Sequence, residues 1–195
     1  MAPKPGALMR DIAELAKNDE GIALVEIKQS MERILVSVPG PVSTPYESGT
    51  FLVRIHIPEE FPLKCPSFYF ETNVFHPNVS PNDGKICVDR LAESWSPSIT
   101  LKGSCRIISM LLSEPNPNSP LNTDAARMME DDEEMYNRTV LVWTKHFANG
   151  IHSFPPYDDM IERLCELNVS PRRAVGLLTN SRWEVEEAAE VLMQD

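Results

Sequence analysis

The stretch F-H-P-N-V-S-P-N-D-G-K-I-C-V-D at 75–89 brings an imidazole, an amide side chain and a thiol into one short segment. A thiolate can take up an acyl group, and an amide such as that of Asn78 can donate a hydrogen bond to the oxyanion formed when the acyl group leaves again. His76 is a candidate general base beside Cys87, which would suit a cysteine hydrolase. Asn82-Asp83-Gly84 is a strong turn signal, and Pro77 and Pro81 exclude a regular helix or central strand. Cys87 therefore follows a tight loop. Against the chemical reading, Ile86-Cys87-Val88 is apolar, and most free cysteines in apolar surroundings are inert packing. On Cys87 alone the inert-packing reading is the better one.

Composition narrows the classes. The chain has 195 residues, 42% of them apolar, with no apolar run long enough to span a bilayer. A soluble globular protein of one large domain, or one plus a small one, is expected, with no membrane partner. The first residues are polar and proline-containing, unlike a secretory signal. Cys65, Cys87, Cys105 and Cys165 show no C-x-x-C spacing. A metal site or disulfide framework is not expected, and a reducing compartment fits, cytoplasmic and also nuclear. The net charge of -11 repels phosphate backbones, so nucleic acid is not an expected partner.

The positioning elements can be read from periodicity. Leu8, Met9, Ile12, Leu15 and Ala16 recur at helical spacing, predicting an amphipathic helix that ends near 18–21. Four runs at 22–28, 32–38, 50–57 and 67–72 are rich in β-branched and aromatic residues. Their short connections predict an antiparallel meander. Leu101, Ile107, Ile108, Leu111 and Leu112 suggest a further helix, closed by Pro115 and Pro117. Gly103, Ser104 and Arg106 predict that it starts late or has an unusual first turn. Ser119-Pro120 has the form of an N-cap followed by proline at the first helical position, predicting a helix from there toward Met129. The acidic run 130–134 then opens a helix carrying Met135, Val140, Trp143 and Phe147 toward the core.

The C-terminal pattern differs. Asn149-Gly150 and Pro155-Pro156 predict a linker. Three short amphipathic helices follow, one with Met160, Ile161, Leu164 and Leu167 and one opened by Ser170-Pro171. Ser181-Arg182-Trp183-Glu184 reads as a capping box for the third.

His76-Pro77-Asn78, Cys87 nine residues after Asn78, and Trp95-Ser96-Pro97 together resemble the active-site segment of ubiquitin-conjugating (E2) enzymes. Gly40-Pro41, Pro45-Tyr46-Glu47, Gly49, Ile57-Pro58, Phe61-Pro62 and the string E-P-N-P-N-S-P-L at 114–121 extend the resemblance. It implies an α+β E2 (UBC) fold, a four-stranded antiparallel meander with flanking helices, and a core domain over 1–150. Cys87 would carry ubiquitin as a thioester. Asn78 would hold the active-site loop and stabilise the oxyanion, with His76 and Pro77 as structural parts of that loop. Asp89 would either act on the incoming lysine or hold the segment. Ser119 stands where many relatives carry an aspartate that orients the lysine. Leu63, Ser96 and Pro97 fall where ubiquitin ligases (E3) bind, and Leu63 is equally well an ordinary loop hydrophobe. The first helix would meet the activating enzyme (E1), and its outer face reads as nearly neutral, Arg10 and Lys17 against Asp11 and Glu14. ATP is consumed by E1, so no cofactor is expected in this chain.

After a linker at 151–156, residues 157–195 resemble a ubiquitin-associated (UBA) domain, with Leu167, Asn168, Val169 and Leu192 as candidate ubiquitin contacts. Where that family keeps a glycine and an aromatic, this chain has Asn168, which can supply the left-handed turn, and Val169, which lacks the aromatic contact. A bundle that packs on the E2 domain and binds ubiquitin poorly is the competing reading. An E2 domain with a C-terminal UBA domain resembles the class that builds lysine-48-linked chains, the Huntingtin-interacting type. Protein substrates would then be the acceptors. A non-catalytic adaptor, and an E2 for a modifier such as NEDD8, are the alternatives.

Overall fold

The computed structural model describes residues 6–28, 31–86 and 95–194. Helix α1 (Gly6–Leu15) leads into four strands, β1 (Ala23–Ile27), β2 (Arg33–Pro39), β3 (Thr50–His56) and β4 (Ser67–Phe70). They form one antiparallel sheet in chain order. In β2 and β3 the period of two is strict: Ile34, Val36, Val38, Phe51, Val53 and Ile55 are buried, and the register pairs Ile34 with Ile55 and Val36 with Val53. A one-residue slip would turn this whole apolar set to the other face, so burial fixes the register.

Helix α2 (Leu101–Ser113) covers the sheet beside α1. It is complete from its first residue, so of the two alternatives expected from Gly103, Ser104 and Arg106, a late start or an unusual first turn, the late start is the one that fails. Thr100 caps it by accepting from the Gly103 amide, and the Ser104 hydroxyl donates to the Thr100 carbonyl. Arg106 forms a two-pronged pair with Glu20 at 2.7 and 2.8 Å, and the buried Lys102 is paired with Asp19. Each polar residue that made this turn look weak thus has a partner. Asp11 does not lie on the outer face of α1. It is buried, and its carboxylate accepts from the Leu101 amide at 2.9 Å.

Helix α3 (Thr123–Asp131) opens later than Ser119-Pro120 suggested. The amides of Leu121 and Asn122 both donate to the Pro77 carbonyl, at 2.8 and 2.9 Å, which keeps the chain in a loop. Asn122 is the N-cap, its side chain accepting from Ala125. Ser119 is exposed and caps nothing.

Helix α4 (Glu133–Phe147) serves two cores. Tyr136 and Val140 face the main core, whereas Val142 belongs to the core of the C-terminal helices α5 (Pro155–Cys165), α6 (Pro171–Asn180) and α7 (Val185–Gln194). The expected linker at 151–156 is shorter, because Pro155 and Pro156 are the first turn of α5, where proline's missing N–H costs nothing. Ser170 caps α6 as expected. Ser181 instead ends α6, its amide donating to Leu177. Arg182 and Trp183 then both take left-handed backbone, φ 49° and 68°.

That turn drives the Trp183 indole inward. It stacks on Tyr157, ring centroids 3.7 Å apart, and donates to the Thr139 hydroxyl of α4 at 2.8 Å. In return Trp143 of α4 donates to Thr179 of α6 at 2.8 Å. Lys145–Asp158 and Arg182–Asp131 ion pairs flank the contact. The bundle is therefore seated on α4. Trp183→Ala removes a buried aromatic and its hydrogen bond to Thr139, whose hydroxyl still donates to the Met135 carbonyl, and truncations of this kind cost about 3 to 5 kcal/mol. Thermal unfolding of the full chain should move down by about 10 °C; an unchanged midpoint would show that this contact carries no stability.

Candidate functional site

The turn after β4 is built to present residue 86 at the sheet edge. Gly84 has φ +71°, and a Cβ there would lie 2.0 Å from the Phe70 carbonyl oxygen, so only glycine fits. Ser80 and Lys85 pair through the backbone, Phe70 donates to the Gly84 carbonyl, and the Ile86 amide donates to Phe68 at 3.1 Å. Described structure stops at Ile86, so Cys87 and Asp89 lie outside the described residues.

Facing this edge, His76, Pro77 and Asn78 form a buried turn. The His76 Nε2–H donates to the Leu111 carbonyl at 3.1 Å, and Nδ1 accepts from the Asn78 amide at 3.0 Å. Both ring nitrogens are occupied. Burial pushes the imidazole down to about 4 from its ordinary 6.5, against the smaller upward pull of the Leu111 carbonyl. It is neutral near pH 7 and has no free nitrogen to take a proton, which removes the hydrolase pairing with Cys87. A cysteine hydrolase could also pair Cys87 with His146, which lies on α4, half-buried.

A depressed folded-state pKa makes stability depend on pH in one direction. Above 6.5 the ring is neutral in both folded and unfolded chains and the contribution is complete. As pH falls toward 4 the unfolded chain binds a proton that the folded one refuses, so stability is lost across that window, about 3 kcal/mol from this residue. Urea unfolding at pH 7 and at pH 4.5 should show the fall, and His76→Gln should flatten it; equal slopes in both chains would refute the assignment.

Asn78 clasps the loop that follows α2. Its Nδ2 donates to the carbonyls of Asn116 at 2.8 Å and Ser119 at 3.3 Å, and its Oδ1 accepts from the Asn116 amide at 2.7 Å. Pro77 holds the same loop two residues further on, through Leu121 and Asn122. Ser119 thus joins the site by its backbone. A second support lies behind: Tyr46 donates to the Phe75 carbonyl at 2.8 Å and meets the Tyr136 hydroxyl at 3.0 Å. Sequence reasoning missed this pair, although Tyr46 stands in the quoted Pro45-Tyr46-Glu47 string.

The remaining cysteines are unsuited to nucleophilic work. Cys105 is buried, with its thiol pushed up to about 12, and burial also raises Cys65 and Cys165. At neutral pH all three stay protonated, and the thiolate is the reactive form.

Leu63 is 77% exposed on the loop after β3. Trp95 donates to the Pro62 carbonyl at 2.8 Å and packs against Phe61, which joins the stretch holding Leu63 to the one holding Ser96 and the exposed Pro97. On the bundle, Asn168 has φ 66°, the left-handed turn expected of it. Leu167 is 46% exposed, Leu192 is half-buried, and Val169 is turned against the bundle core. Among the described residues no cluster could hold a metal ion, and no helix is long and apolar enough to cross a membrane.

Comparison with known proteins agrees over almost the whole chain. The family model described as ubiquitin-conjugating enzyme matches residues 7–144. Ubiquitin-conjugating enzyme E2-22 kDa of Drosophila melanogaster is 30% identical over 189 residues, 95% of each chain. Ubiquitin-conjugating enzyme E2 K of Homo sapiens is 31% identical over 182 residues, 93% of this chain and 90% of its own. Among solved structures, the E2 domain of a Toxoplasma gondii ubiquitin conjugating enzyme superposes with a TM-score of 0.67 at 31% identity, covering 72% of this chain and 96% of that one.

Proposed function

This chain belongs to the ubiquitin-conjugating enzyme (E2) family, and we propose on that footing that it accepts ubiquitin from E1 as a thioester on Cys87 and passes it to lysine amines. The observation that carries the reading is the clasp of Asn78 on the loop 116–119, beside a sheet edge whose next residue after Ile86 is Cys87. A neutral lysine amine attacks the thioester carbonyl and the C–N bond forms. The oxyanion then collapses, the C–S bond breaks, the amine proton goes to solvent or a nearby base such as Asp89, and the Cys87 sulfur leaves as thiolate.

Asn78 acts in this scheme chiefly as a positioning residue. Both of its amide hydrogens are committed to backbone carbonyls, so it can serve the oxyanion only by releasing one. His76 and Pro77 hold the turn. Ser119 contributes its carbonyl, with its hydroxyl free to face an acceptor. The surface of Leu63, Ser96 and Pro97 is the E3 contact, and the outer face of α1 the E1 contact. With Asp11 turned inward, that face carries Arg10 against Glu14, with Lys17 in the turn just after the helix, and is less acidic than the sequence suggested.

The C-terminal bundle reads as UBA-like, with Leu167, Asn168 and Leu192 offered to ubiquitin and Val169 withdrawn. Lysine-48-linked chains are the product this domain order suggests, made in the cytoplasm and nucleus. One experiment tests the whole reading. The full chain is incubated with E1, ATP and tagged ubiquitin, with NEDD8 in parallel, and resolved on a non-reducing gel. A reductant-sensitive band with ubiquitin is expected; loading by NEDD8 alone would reassign the modifier, and loading by neither would defeat the proposal. Omitting E1 and reading binding by NMR shows whether the bundle contacts ubiquitin noncovalently.

A further inference from the structure

A groove of about 830 Å³ runs along the back of the clasped loop. Its walls come from four separate stretches: Thr44 in the loop between β2 and β3, Leu112 and Pro115 at the end of α2, Glu133 and Leu141 on α4, and Phe154 just before α5. Pro115 directly precedes Asn116, the residue held from both its amide and its carbonyl by Asn78. The groove is thus continuous with the site through one peptide unit. Phe154 is fixed by the Arg138 guanidinium, 4.7 Å above its ring. Ile151, further up the same segment, is tied to Ser48 at 3.1 Å. The seated bundle therefore supplies one wall.

Charge selects the occupant. On the α3–α4 side the lining includes Glu133 and Glu134 of the acidic run 130–134, all of which is exposed. Glu134 is neutralised by Arg138, Asp131 by Arg182, and Asp132 caps α4. Among the described residues neither Glu133 on the lining nor Glu130, next in the chain to the lining Met129, forms an ion pair, so one unpaired carboxylate lies on a largely apolar trough and a second close to it in the chain. Arg138, the cation on the lining, is engaged with Glu134 and Phe154.

We propose that this groove docks a basic segment of the acceptor protein next to its reactive lysine, so that the C-terminal helices help select the acceptor through Phe154. The inference rests on the acyl-transfer reading above and adds the acceptor's chemistry to it. A docked segment raises the effective concentration of the attached lysine at the thioester without altering the bond-making step.

The test uses the full chain loaded with ubiquitin and followed in single-turnover discharge. Three acceptors are compared: free lysine, a peptide whose one lysine lies between arginines, and a peptide of equal length whose lysine lies between glutamates. Discharge to the basic peptide should be about fivefold faster than to the acidic one, the scale of a few exposed ion pairs. Glu130→Lys combined with Glu133→Lys should erase that preference, and Phe154→Ala should slow the basic peptide more than free lysine. Glu190→Lys, a charge reversal on exposed α7, controls for the net charge of -11 and should leave the preference in place. Equal rates for the two peptides, or a preference that survives the double reversal, would overturn the proposal. If no thioester forms at all, the acyl-transfer reading fails, and the groove is judged by fluorescence anisotropy of the labelled basic peptide on the unloaded chain: binding lost in the double reversal supports it, and binding unaffected overturns it.

Discussion

Cys87→Ser is expected to trade the reductant-sensitive ubiquitin adduct for a reductant-resistant oxygen ester, and Cys87→Ala to abolish loading altogether. The effect is all or none, because the thiols of Cys65, Cys105 and Cys165 are each raised by burial and supply no thiolate. The ester should also accumulate, since an alkoxide is a far poorer leaving group than a thiolate when the amine attacks. A variant that still forms a reducible adduct would move the acyl-carrying role to another cysteine.

Asn78→Asp is expected to load normally and discharge slowly. The carboxylate cannot donate, so the carbonyls of Asn116 and Ser119 lose their partners and face a negative charge instead. A drop in discharge to free lysine of about 100-fold is expected, the scale for losing one preorganised donor. The clasp adds a second signature. Stranded buried groups cost about 1 to 3 kcal/mol, so the thermal midpoint should fall by several degrees, at about 2 to 4 °C per kcal/mol for a chain of this size. Slow discharge at an unchanged midpoint would show that Asn78 works on the oxyanion and not through the loop. Normal discharge would remove it from the site.

The parts of this architecture that were legible in the sequence are those set by local periodicity. Strands β2 and β3 are announced by alternation, and the Asn-Asp-Gly turn and the Ser170-Pro171 cap by residues whose backbone preferences act within a few positions. The parts that were not legible depend on distant partners. Gly103, Ser104 and Arg106 look like a broken helix until Glu20 and Thr100 are placed beside them. Ser119-Pro120 is a sound local cap signal, overridden because the Pro77 carbonyl captures two amides and delays the helix to Asn122. Ser181 fails as a cap for the opposite reason: it belongs to the helix before it. Of the candidate site, the identities of His76 and Asn78 could be read, while their hydrogen bonds to Leu111, Asn116 and Ser119 could not, because those partners are backbone atoms and leave no mark in composition.

The two-sided helix α4 bears on how the chain is made. Synthesis runs from the N-terminus at about 5 to 20 residues per second, so the sheet and α1 to α4 are available to pack before the last forty-odd residues exist. Until those arrive, Val142 and Phe147 lack the side chains that cover them and Trp143 is covered only on its Phe75 side, and the nascent protein carries an apolar stripe along an otherwise finished body. Ribosomal stalling or a premature stop after α4 would leave that stripe permanently bare, the kind of surface that quality-control factors bind and that drives aggregation. Completion of the C-terminus is thus what turns the outer side of α4 from a sticky surface into an interior.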